Sequence, residues 1–208
     1  LMPHVRELSQ KLIDDIIERG EIDFVEQFAI HVPLIIICEL MGLDPELRMS
    51  MYRWSDNMMA GDGHTEADDP VLLAAAEAFG EFAMMCLELI AERRAKLETL
   101  RAALWGVAAQ QGGTLPESVE AAKLYAALWE TPHVARLPYV YFGGSKLGEP
   151  TPVAAEPEIF GAERLVLSAD GQMRLMTSDA LAAELAKGAS REPETPSAGP
   201  GTSPSSQP

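Results

Sequence analysis

Five consecutive apolar side chains, Leu34-Ile35-Ile36-Ile37-Cys38, follow Pro33 in a segment flanked by helical patterning. A helix over this stretch has no polar face, and a helix apolar on every side is normally buried all round. Whatever the chain folds into must therefore surround residues 34–38 with other elements.

The neighbouring sequence supplies candidates. Val5, Leu8, Leu12, Ile13, Ile16 and Ile17 recur with a helical period among charged residues, and Gly20 closes that helix. Asp23 caps a second helix running through Phe24, Phe28 and Ile30 to Met41, which Pro33 should kink or split and Gly42 should end. Asp44-Pro45 reads as an N-cap with proline in the first turn of a third helix, Glu46 to about Met59. Residues 60–70 form a polar, acidic, glycine-bearing loop. A fourth helix runs from Val71 to about Lys96, with Leu72, Leu73, Ala76, Phe79, Phe82, Ala83, Cys86, Leu87 and Ile90 on its apolar face, and residues 97–110 continue as helix.

The second half changes character. Gly112-Gly113 breaks the chain, and Pro116 to Trp129 reads as a further helix. Residues 131–160 are rich in Pro and Gly, with one strand expected at Tyr139–Phe142. Arg164–Ser168 and Gln172–Thr177 flank Ala169-Asp170-Gly171, the signature of a β-hairpin. Ser178 is placed to cap a last helix to Lys187, closed by Gly188. The Pro, Ser, Gly and Thr of residues 189–208 cannot bury enough apolar surface to order themselves. The expected fold class is mainly α: a helical segment over 1–95, a small α+β segment with a hairpin over 96–188, and a disordered tail over 189–208.

The formal net charge is −16, of which −12 falls on residues 1–98. Such a surface repels phosphate backbones and anionic lipid, so nucleic acid is excluded as a partner. The run Val32–Cys38 is too short to span a bilayer, so no membrane span is expected, nor is a signal peptide. Leu1 in place of Met reads as the start of a truncated product. Two cysteines without metal spacing suit a reducing cytoplasm.

The stretch Val5 to Met59 is similar to the soluble bacterial cytochrome P450 family, whose members are heme-thiolate monooxygenases. The resemblance is carried by Asp23-Phe24-Val25, Pro33, Glu39-Leu40-Met41-Gly42-Leu43 and Trp54-Ser55-Asp56, and by Glu88 to Ala95 at the end of the fourth helix. By order these look like the family's D, E, F and G helices. The resemblance implies heme as cofactor of the intact family and an apolar small molecule as substrate. It implies a pocket role for Trp54, Met58 and Met59, where the family's third helix of this set roofs the substrate. The family's heme loop, Phe-x-x-Gly-x-x-x-Cys-x-Gly, has no counterpart: Phe142-Gly143-Gly144 is followed by no cysteine. Glu98 and Arg101 match a Glu-x-x-Arg pair that also arises by chance, and the resemblance ends near Ala95. No catalytic, cofactor-binding or metal-binding residue is therefore expected, and no heme is expected on this chain alone. The expected reading is a partial or rearranged, inactive monooxygenase that self-associates or needs a complementing chain. The alternative is a non-enzymatic binding or interaction module with its function in residues 97–188.

Among single residues, Cys38 and Cys86 are expected as core thiols, and His64 and His133 as ordinary loop histidines. Glu156, Glu158, Asp170 and Asp179 are expected as solvated surface carboxylates.

Overall fold

The computed structural model describes residues 2–158 and 162–187. The fold is mainly helical with a small antiparallel sheet towards the C-terminus, as the sequence pattern predicts. The chain divides into two compact units, Leu1–Leu89 and Ile90–Pro208. The residues from Gly188 onward, including the expected helix stop and tail, lie outside the described residues.

In the first unit, α1 spans Met2–Ile16 and runs into a 3₁₀ turn, Ile17–Arg19, which Gly20 ends at φ +78°. Asp23 caps the next turn as expected: its Oδ1 accepts from the N–H groups of Val25 (2.9 Å) and Glu26 (3.0 Å). That turn is a π-helix, Val25–Ala29, and α2 follows as His31–Met41. The split falls just ahead of Pro33, whose ring would collide with the carbonyl four residues earlier, that of Ala29; widening the turn at that point removes the conflict. Gly42 ends α2 in the left-handed region at φ +74°, with Leu43 N–H returning to Cys38 O at 2.9 Å. Asp44 caps a 3₁₀ turn, Pro45–Leu47, that leads into α3, Arg48–Ala60.

The expectation for residues 34–38 is corrected. Cys38 is fully buried and Ile35 nearly so, but Ile37 is half exposed, as are Leu40 and Met41 beyond it. The core that α2 joins consists of Cys38, Leu43, Met51, Trp54, Ala78 and Met85, with Leu34, Phe82 and Leu89 packed at its edge. It covers one side of the helix and leaves the other uncovered.

The fourth helix, α4, spans Pro70–Gln110 without interruption, and the boundary between the units falls inside it. Its length and apolar composition match those of a membrane span, where the sequence reading expected none. Glu81 on this helix accepts from Trp54 Nε1 at 2.5 Å and pairs with Arg53, a contact made by packing on α3.

The second unit contains the rest. A four-stranded antiparallel sheet has the order β1 (Val140–Tyr141), β2 (Pro152–Ala155), β3 (Glu163–Ser168), β4 (Met173–Thr177). The hairpin β3–β4 has Leu165 opposite Leu175 and turns at Gly171, φ +85°, while Asp170 Oδ1 accepts from Gln172 N–H. β2 was not legible in advance: Pro152, Val153, Ala154 and Ala155 are all buried, so they show no alternation.

Two further expectations are corrected. Pro116 to Trp129 is not one helix; it contains a single turn, α5 (Val119–Ala122), and a 3₁₀ turn, Ala126–Leu128. The backbone here is claimed by tertiary hydrogen bonds. Pro116 O accepts from Tyr141 Oη (2.7 Å) and Gly144 N–H (2.9 Å), Leu115 N–H donates to Ser145 O, and Trp129 O accepts from Tyr139 N–H. Lys123 then ends the turn at φ +51°. The last helix, α6 (Ser178–Lys187), is capped by Thr177, whose Oγ1 accepts from Ala180 N–H, and not by Ser178.

Both faces of the sheet are covered within this unit. Leu165 and Leu167 face a large core with Leu97, Leu100, Leu104, Trp129, Tyr139 and Tyr141. Val166 and Ala155 face the other way, with Phe142, Met176 and Leu181 of α6.

Candidate functional site

In the first unit, α3 carries the three residues singled out for a substrate pocket. Trp54 is buried, edge-on to Phe82 at 6.2 Å between ring centroids, with its indole N–H held by Glu81. Met58 packs half-buried against the same core, while Met59 is exposed. The structure thus brings Trp54 and Met58 together and leaves Met59 at the surface.

A heme-thiolate site requires a thiolate facing an open axial position, with donors around the sulfur. Cys38 offers neither. It is fully buried among apolar side chains, and burial pushes its thiol above the ordinary range, with Arg48 opposing and Glu39 assisting that shift. Cys86 packs half-buried against the same core. The cysteines present do not fit heme ligation. Among the described residues there is also no cluster of three or more His, Cys, Asp or Glu side chains able to hold a metal ion. Glu98 and Arg101 pair with each other on α4, and Arg101 lies over the Trp105 ring at 5.5 Å.

The second unit holds chemistry that the sequence reading placed wrongly. Glu156, expected as a solvated carboxylate, is completely buried at the end of β2. Its Oε1 accepts from Arg93 Nε at 2.8 Å, and its Oε2 accepts from Arg93 Nη2 and from Leu165 N–H at 2.8 Å. The hydrogen bonds to Glu156 keep Arg93 firmly protonated. Burial, with the Glu156 charge added, pushes the Tyr139 phenol well above its usual range. His133 is likewise buried, its Nδ1 accepting from Ala135 N–H, and is not an open loop side chain. The only advance signal for Glu156 was its place directly after Val153-Ala154-Ala155, where an acid ends an apolar run.

Beside this cluster, on the α6 face of the sheet, lies a cavity of about 700 Å³. Leu137, Val140, Phe142 and Leu181 line its apolar part, and Arg164, Glu158, Ser178 and Asp179 its polar end. Arg164 is buried on β3. Its Nη1 donates to Glu156 O at 3.3 Å, its Nη2 lies 3.6 Å from Glu158, and among the described residues its Nε has no hydrogen-bond partner.

Over 62 residues the chain is 34% identical to 6-deoxyerythronolide B hydroxylase of Saccharopolyspora erythraea, covering 30% of this chain and 15% of that protein. It is 36% identical over 90 residues to a steroid C26-monooxygenase of Mycobacterium tuberculosis (42% and 23%). It is 32% identical over 91 residues to linalool 8-monooxygenase of Pseudomonas putida (44% and 22%). These relatives are cytochrome P450 enzymes, so part of the chain resembles that family, as its motifs imply. The chain spans about a fifth of the length of these curated relatives. No family model matches the chain, and no solved structure does.

Proposed function

We propose that residues 1–95 are a partial or rearranged cytochrome P450 helical segment, and that this chain does not carry out mono-oxygenation by itself. In this reading the activity at issue is a heme-dependent insertion of oxygen into an apolar substrate, the chemistry named in relatives that act on a steroid or on linalool. The observation that carries the reading is the similarity to P450 enzymes over about two fifths of the chain, together with cysteines that do not fit as heme ligands. The residues of the segment pack as an ordinary small core around Cys38 and Trp54. The exposed apolar side chains of α2 and α4, Ile37, Leu40, Phe79 and Leu87 among them, support a role in contact with a complementing chain or a second copy. The acidic charge and the free cysteines Cys38 and Cys86 support a cytoplasmic reading.

The test is heme reconstitution of the purified chain followed by an absorbance spectrum of the ferrous–CO form. The expected result is no thiolate-type band. Such a band, lost in Cys38→Ala or Cys86→Ala, would refute the reading.

A second reading is favoured by a specific feature. The cavity beside Arg164 supports a binding role for the second unit, which would make the chain a binding module.

A further inference from the structure

The cavity on the α6 face of the second unit combines three properties. Its volume, about 700 Å³, is that of small-molecule sites, which fall between roughly 300 and 1,000 Å³. Its apolar part is built from rigid positions: Val140 on β1, Phe142 just after it, and Leu181 anchored in the core under α6. Its polar end holds a guanidinium that is incompletely satisfied.

Arg164 decides the chemistry. It projects from β3 on the same face as Val166, opposite Met176, and is more than nine-tenths buried. A guanidinium has five N–H donors. Among the described residues this one makes a single long hydrogen bond, to Glu156 O, and its buried Nε has no acceptor. A buried charged donor without an acceptor is costly, so native proteins rarely leave one unpaired. Glu156, which could have neutralised it, is committed to Arg93. Glu158 stands 3.6 Å from Nη2 but is largely exposed, and it also accepts from Ser178 Oγ at 3.2 Å. Arg164 lines the cavity, and its two terminal nitrogens carry N–H groups beyond those facing Glu156 and Glu158, so an acceptor atom at the polar end of the cavity can take one of them.

The surrounding charge says which acceptor. Glu158 and Asp179 line the same end, so the cavity carries two carboxylates against one guanidinium. The chain as a whole is strongly acidic. An anionic ligand would gain at Arg164 but be repelled by both carboxylates and by the wider field. A neutral oxygen meets no such penalty. A hydroxyl can accept from a terminal N–H of Arg164 and donate to a carboxylate at the same end.

We propose that this cavity is a binding site for a neutral, mostly apolar small molecule bearing a hydroxyl or carbonyl oxygen, with the oxygen accepting from Arg164 and the apolar body lying against Val140, Phe142 and Leu181. The proposal concerns the second unit and does not depend on the P450 reading, because it invokes neither heme nor residues 1–89.

The experiment is an NMR titration of the full chain with three probes of equal chain length: 1-octanol, octanoate and octylammonium. Octanol should give saturable shifts at Val140, Phe142 and Leu181, and should bind at least about tenfold more tightly than octanoate, a difference of roughly 1.4 kcal/mol. Ala182→Trp fills the cavity from an exposed position of α6 and should abolish the octanol shifts while leaving the melting midpoint unchanged. Glu158→Gln removes one repelling carboxylate and should narrow the preference for octanol over octanoate. The proposal is overturned if no probe gives saturable shifts, if octanoate or octylammonium binds as well as octanol, or if octanol binding survives Ala182→Trp. Failure of the heme test would leave all of these outcomes untouched, so the two readings fail separately.

Discussion

The two units treat their apolar side chains in opposite ways. Among the described residues, the chain buries 26 hydrophobic residues; seven lie in the first unit and nineteen in the second. Large exposed hydrophobics run the other way, with fourteen of eighteen in the first unit. The second unit closes its core because a sheet offers two faces, and helix, loop and hairpin cover both. The first unit has only helices, joined around one small cluster, and the faces of α2 and α4 turned away from it meet nothing in that cluster. Good helical patterning therefore does not guarantee a self-sufficient core. An apolar stripe is an incomplete object until another surface meets it.

The largest expected effect separates the units physically. Residues 1–95 expressed alone should melt broadly, bind ANS and self-associate, because leaving several large side chains unburied forfeits roughly 1.5–3 kcal/mol each, against a total of about 5–15 kcal/mol for a domain. A monomer without ANS binding and with a sharp cooperative melt would break the contrast drawn above.

Next comes the ion pair inside the second unit. Glu156→Ala leaves the Arg93 guanidinium and Leu165 N–H without their carboxylate. Removing one partner of a buried pair should cost about 3–5 kcal/mol in denaturant unfolding of the full chain. A loss below about 1 kcal/mol, the range of exposed pairs, would mean that Glu156 behaves as a surface carboxylate after all.

The comparison can be sharpened residue by residue. Leu100, fully buried on the second-unit part of α4, should cost about 2–5 kcal/mol when cut to Ala. Phe79, exposed on the first-unit part of the same helix, should change stability by no more than about 0.5 kcal/mol on the same truncation. Equal losses at the two positions would show that the Phe79 face is covered in solution.

The smallest effect is a local pH dependence at the start of α4. Asp69 accepts from Val71 N–H at 2.8 Å and pairs with His64 at 2.6 Å. The His64 hydrogen bond, then the backbone one, holds its carboxyl below the ordinary value of 3.8. A folded value below the unfolded one means that the group stabilises above about pH 4 and loses that contribution as pH falls through the folded value. Asp69→Asn should therefore slightly flatten the fall of the melting midpoint as pH drops below about 4, as read by a thermal scan. An unchanged acid limb would show that the cap does not hold in solution.

Much of the fold was legible because its causes are local. Asp23, Asp44, Gly20, Gly42 and the Asp170-Gly171 turn each act on backbone within a few residues, and the hairpin register follows from that turn. The P450 likeness was legible for the same reason, since its motifs are short runs at fixed spacing. Four things were decided only by tertiary structure. Residues 116–129 lost their helical reading to hydrogen bonds from Tyr141 and Gly144, both distant in sequence. β2 was hidden because a strand buried on both faces shows no period. Ile37 became exposed because burial depends on how much partner surface exists, which patterning cannot count. Glu156 and Arg164 acquired their roles from their partners: whether a carboxylate is a solvated surface group or a buried anchor depends on whether an arginine 63 residues away in sequence folds back to meet it, and the one that does leaves Arg164 with an open donor.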